Sequence, residues 1–368
     1  MKGTVSPPES SSFRDPATGA LVYQVTNQPA ISHPSYFLQS SFLPGDEVLF
    51  FTSYRTGSAQ LFQSGFPHGP IRQLTDGPAI HAFSPALHPN GREIFFVRAG
   101  SLWAVEFESL AERCVAGMEG AQLGEPSISA DGEWFVTAFK QGAQAGLFVG
   151  RTSGGGSHTI LFPRTVIHPQ FHPAEAEWIE FAADPAPRMF RVRRDGTGLE
   201  CLLSHGNDEF VVHETFLGKT GDLVFTVWPY RICRMDWGTR EVRTIAEYNA
   251  WHIAPRRDGS EILCDTNHPD NGIQIIDAAT GGRRAICRPE ASCQGSQWRT
   301  SRYALAADFA AASSLAKGRG NLSWMETAGD TVYGPQWSHP HPSWSAKEDK
   351  VAFASDRSGV AQVYVAVL

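Results

Sequence analysis

The sequence predicts an all-β chain folded as a seven-bladed β-propeller, and three observations point there. One phrase recurs along the chain: a short apolar segment, a polar turn, then a β-rich run. Most of its spacings fall near the length of one four-stranded blade, about 40–45 residues. The runs are rich in Val, Ile, Phe and Trp and are bounded by Gly, Pro and Asp, as strands are.

The copies read SSFLPGDEVLFF (40–51), SPALHPNGREIFFV (84–97), PSISADGEWFV (126–136) and PQFHPAEAEWIEF (169–181). They continue as HETFLGKTGDLVFTVW (213–228), HIAPRRDGSEILCD (252–265) and HPSWSAKEDKVAFAS (341–355). Aligned on Gly45, Gly91, Gly132, Glu175, Gly221, Gly259 and Asp349, they are spaced by 46, 41, 43, 46, 38 and 90 residues. In the first copy, strands are expected at Glu47–Ser53, Ala59–Ser64 and Ile71–Leu74, with a turn at Arg55–Ser58. An open sheet edge is a liability, so the ring must be sealed. The N-terminal segment GALVYQVT (19–26) can supply the outer strand of the last blade beside VAQVYVAVL (360–368).

The 90-residue gap contains RYALAADFAAASSLAK, which is Ala-rich and helix-prone. It lacks the turn phrase, so residues 289–332 read as an insertion on one face rather than an extra blade. The whole of 1–368 then forms one domain. Neither a WD dipeptide nor a GH signature is present.

Composition narrows the function. Hydrophobic residues are 42% and charged residues 19% of the 368, which excludes a disordered chain. No stretch has the 18 or so apolar residues that a membrane span needs, and the N-terminus lacks an apolar signal core. The six cysteines have neither metal-ligand nor disulfide spacing, so a reduced, cytoplasmic setting is expected. Net charge is −7 with no Lys/Arg block, which argues against nucleic acid as partner. An acidic ligand would need a local basic or metal site.

One register is rich in histidine. The first strand of each blade lines the central channel, so positions seven or eight residues before the turn should converge at one mouth. They are Phe83, Glu125, His168, His213, His252 and His341, in a chain with 13 His. The densest motif is YGPQWSHPHPSW (333–344), with Gln336, His339 and His341. Two His at i, i+2 on extended backbone point the same way, and the intervening Pro restricts the backbone. Two such imidazoles with a third from another blade suit a divalent transition metal, and a Gln carbonyl oxygen shifts preference toward Mn²⁺. Tyr36 and Gln39, in SYFLQSSF, stand near the same mouth and with His168 are candidates for substrate contact.

With these motifs in view, the chain resembles the oligogalacturonate lyases, propeller enzymes that cleave short pectin fragments. QWSHPHPSW is similar to that family's metal strand, and WHIAPRRDG (251–259), PRMFRVRRDGTG (187–198) and VVHETFLGKTG (211–221) to further family segments. The resemblance implies His252, Gln336, His339 and His341 as Mn²⁺ ligands, His213 as catalytic base and Arg188 as an active-site arginine. The expected reaction is β-elimination: the base removes the C5 proton beside a carboxylate, the cation neutralises that carboxylate, and the C4 oxygen leaves. No Asp/Glu pair of the glycosidase kind is required. Two departures are expected near the substrate: His-Glu-Thr-Phe where the family has His-Glu-Phe-Trp, and the Ala-rich insertion. A lyase for another uronate, of ulvan or rhamnogalacturonan type, and a non-catalytic TolB-like binding propeller remain alternatives. No Gly-x-Ser-x-Gly elbow supports a serine peptidase.

Overall fold

The computed structural model describes residues 1–299, 306–315 and 331–368. Among them the strands form seven antiparallel sheets in a ring, the propeller expected from the repeat. Blade 1 runs outward from the channel as Ser32–His33, Val48–Ser53, Gln60–Gly65 and Ile71–Gln73. Blades 2 to 6 follow in chain order. Their second strands are Glu93–Arg98, Trp134–Gln141, Trp178–Asp184, Leu223–Trp228 and Glu261–Cys264.

Blade 7 is assembled from both chain ends. Ser343–Trp344, Lys350–Ser355 and Gln362–Val367 come from the C-terminal side, and Leu21–Gln24 pairs antiparallel with the last of them. This is the closure that the sequence predicts. The structure adds two strands to it: Ser11–Arg14 extends blade 7, and Val5–Ser6 crosses to the outer edge of blade 1. The N-terminal tail therefore stitches the first and last blades together.

Seven apolar clusters fill the seven interfaces between neighbouring blades. Successive side chains on a strand face opposite sides, and the sequence uses both. Phe95 packs with blade 3 while Phe96 packs with blade 1; Phe51 faces blade 7 while Phe50 faces blade 2. The central strands are thus buried on both faces, which is why they read as continuous apolar runs.

Within the segment between blades 6 and 7, Ser296–Arg299 is a short helical turn and Ala306–Leu315 an α-helix. Residues 300–305 and 316–330 of the predicted insertion lie outside the described residues. Among the described residues, no helix is long and apolar enough to cross a membrane.

Candidate metal centre

The innermost strands bring distant residues to one mouth of the channel, and local backbone irregularities turn them inward. The pairing of the first strand of blade 4 slips between Ile167 and Gln170, and that of blade 5 between Val212 and Thr215. His168 and His213 sit in these bulges with φ of 51° and 58°, and His341 in blade 7 has φ of 44°. Left-handed backbone is uncommon for a residue with a side chain and concentrates at functional sites, and bulges re-aim side chains. The rings meet as a result. His252 and His341 have centroids 4.0 Å apart, His213 and His252 4.8 Å, His339 and His341 5.5 Å, and Phe83 and His341 5.6 Å.

His252, His339 and His341 are buried, and one ligand nitrogen from each lies within 4.8 Å of the others. Nitrogens sharing an ion at about 2.1 Å stand at most about 4.2 Å apart, so a small closing movement brings the three onto one cation. Hydrogen bonds fix which nitrogens are available. His252 Nδ1 is 2.8 Å from Asp265 Oδ2, leaving Nε2 free to coordinate. His341 Nε2 is buried with no hydrogen-bond partner, an orphan that a cation would satisfy. His339 Nε2 is 2.7 Å from the Tyr333 carbonyl and its Nδ1 3.1 Å from the Asn267 amide nitrogen. Burial holds all three imidazoles below their ordinary pKa, His339 to about 4, so they are neutral with lone pairs available. The donor set fits a divalent transition metal.

His213 borders this group. Its ring packs edge-on at 4.6 Å against Trp251, and its Nδ1 is buried and unpartnered. Burial first, then the neighbouring His252, His168 and Arg188, drives its pKa well below the usual value. Its buried imidazole is therefore neutral. Arg188, also buried, pairs with Asp184 and lies 3.6 Å from Glu214 Oε1, an ion-pair distance rather than a hydrogen bond. Burial works against its charge, but Asp184 and Glu214 more than restore it. Glu214 and Glu180 behind it are buried, and desolvation raises both carboxyls above the ordinary range.

The other predicted residues are distributed unevenly. Tyr36 stands within the cluster: its hydroxyl is 3.0 Å from His168 Nε2 and its ring 5.2 Å from those of His168 and His341. Gln39 instead lines a channel cavity of about 340 Å³ together with Phe37, Thr215, Ala254 and Ser343. Phe37, 5.0 Å from His252, lies between the imidazoles and that cavity. Gln336 belongs to a half-buried helical turn, Gln336–Ser338, not to a strand, because the extended segment begins only at His339. Thr215, the departure expected near the substrate, lines the same cavity and donates to Gln170 Oε1 at 2.8 Å. The insertion does border the cluster: Trp298 packs at 4.9 Å on Trp251, and its indole donates to the Tyr333 carbonyl at 2.7 Å.

Sequence reasoning misses Asp265, Asn267, Phe37, Trp251 and the Glu180–Glu214 pair. Trp251, beside His252 in the chain, carried the most accessible signal.

Fold and site together define a class: a seven-bladed propeller with a buried imidazole cluster at one channel mouth, three of whose histidines could hold a metal ion. No family model matches the chain. It is 21% identical to the oligogalacturonide lyase of Pectobacterium atrosepticum, over 99% of this chain and 97% of that one. It is also 21% identical to the oligogalacturonate lyase of Dickeya dadantii, over 96% and 95%. Among solved structures, an oligogalacturonate lyase in complex with manganese superposes with a TM-score of 0.83 at 20% identity, over 100% of this chain and 98% of that one. The chain thus resembles the oligogalacturonate lyases along its whole length.

Proposed function

We propose that this chain is an oligogalacturonate lyase-like enzyme that breaks the 1,4 linkage of short galacturonate oligosaccharides by β-elimination. The observation that carries the reading is the meeting of His213, His252, His339 and His341 in one buried cluster with Arg188 nearby. His252, His339 and His341, with Gln336 at their margin, would hold Mn²⁺. When bound, that ion supplies Lewis acidity that neutralises a uronate carboxylate.

The chain's own residues supply the rest. His213, neutral and desolvated, takes the C5 proton on its free nitrogen. The C5–H electron pair becomes the C4–C5 double bond as the C4–O bond breaks, and the departing oxygen collects a proton. Arg188 is a fixed positive fork, suited to a second carboxylate or to charge developing in the transition state. Tyr36 and His168, joined by their hydrogen bond, line the substrate side. The free thiols of all six cysteines fit a reducing compartment, and we place the protein in the cytoplasm.

Mass spectrometry of the products from trigalacturonate tests the reaction class. Elimination splits the substrate into fragments whose masses sum to the parent. Fragments that sum to the parent plus one water mean hydrolysis and reject the proposal.

A further inference from the structure

We propose that Asn267 is itself a metal ligand, contributing its side-chain oxygen beside His252, His339 and His341; this rests on the metal reading above. Asn267 is 2% exposed and follows the second strand of blade 6 with φ of 52°, a left-handed position that Asn tolerates. Its Nδ2 is 3.1 Å from His339 Nδ1. A carbonyl can only accept, so the 2.7 Å contact of His339 Nε2 with the Tyr333 oxygen places the ring proton on Nε2. His339 Nδ1 is then the lone pair left for a cation, and the Asn267 amide covers it.

An N–H cannot stay aimed at a lone pair that holds a cation. Turning the amide over exchanges Nδ2 and Oδ1, and brings an oxygen to the cation's side. That oxygen is at present buried without a hydrogen-bond partner, and an amide oxygen is the hard donor type that Mn²⁺ accepts. Two residues earlier, Asp265 holds His252 through Nδ1. The end of this one strand therefore addresses two of the three histidines, where Gln336 stands on a half-buried turn.

The test is calorimetric titration of the metal-stripped full-length chain with Mn²⁺, together with the visible spectrum of the Co²⁺ form. Asn267→Ala should weaken Mn²⁺ binding about tenfold or more and alter the Co²⁺ spectrum. Asn267→Asp keeps an oxygen but cannot donate to His339, and should bind at least as tightly as the wild type. Wild-type affinity and spectrum in Asn267→Ala overturn the proposal. So does an Asn267→Asp variant as weak as alanine, which would make the amide a hydrogen-bond donor to His339 and nothing more. If Asn267→Ala does not fold, as judged by circular dichroism, the aspartate variant decides alone. A wild-type chain that binds no Mn²⁺ fails the metal reading itself and takes this one with it.

Discussion

His213 and His252 lie 4.8 Å apart yet are assigned different work, and single substitutions separate them. His213→Ala should abolish turnover and leave metal content unchanged; loss of the metal with it would make His213 a ligand. His339→Ala should lose metal and activity together, and an active, metal-replete variant would remove His339 from the site. Asp265→Asn should lower metal affinity roughly 10- to 100-fold, because the carboxylate that fixes the His252 tautomer is gone; an unchanged titration would show that the ring needs no such support. His168, His213, His252 and His341 are legible in the sequence because each stands seven or eight residues before its blade's turn, and His339 because it shares the HPHP motif with His341. The bulges are not, since His168 and His213 take left-handed backbone without the glycine that usually announces it. Asp265 and Asn267 are invisible for another reason. They reach the site from the end of a second strand, outside the first-strand register seven or eight residues before each turn.

The element that most needs explaining is the closing blade. Leu21–Gln24 is held between Gln362–Val367 and Ser11–Arg14, so its loss would open the ring. Val22 is 1% exposed and packs in the interface between blades 6 and 7, whereas Val5, on the tail strand at blade 1, is 58% exposed. Val22→Ala should therefore cost about 2 kcal/mol, and Val5→Ala less than about 0.5 kcal/mol, read from urea unfolding midpoints. Equal effects would mean that closure does not depend on this packing. The sealing strand is legible in the sequence because a propeller ring must close and GALVYQVT (19–26) is a β-rich run free to lie beside the last strand. The sequence does not reveal Ser11–Arg14 or Val5–Ser6, which are polar, short and held largely by backbone pairing. Gln336 shares a motif with His339 and His341 in the sequence, but the backbone divides it: Gln336 is in a helical turn while His339 is extended.

For the whole molecule, burying histidines at the mouth ties stability to pH. Burial lowers His33 to about 4 and His168 to about 3, against an ordinary 6.5. The fold holds both neutral while the unfolded chain takes protons, so their contribution is full above pH 6.5 and is lost as pH falls toward their folded values. Each group contributes roughly 1.4 kcal/mol per pH unit in that window. Glu180 acts in the opposite sense: desolvation raises it, so its contribution declines as pH climbs above the ordinary carboxyl value. Glu214 and Asp265 act with Glu180, but burial also lowers His213, His252, His339 and His341. With His33 and His168, these six histidines outnumber the three carboxyls, so the urea midpoint of the chelator-treated protein should fall between pH 6.5 and 5; a flat midpoint would mean these groups are hydrated.

The ring supplies seven innermost strands to one mouth, and the proposed reaction takes place there. The most direct measurement is ultraviolet absorbance during incubation with digalacturonate or trigalacturonate, with Mn²⁺ and then with EDTA. A rise from the unsaturated product that requires the metal and stops on chelation is the result expected. No rise from a folded, Mn²⁺-loaded protein would contradict the assignment to galacturonate oligomers.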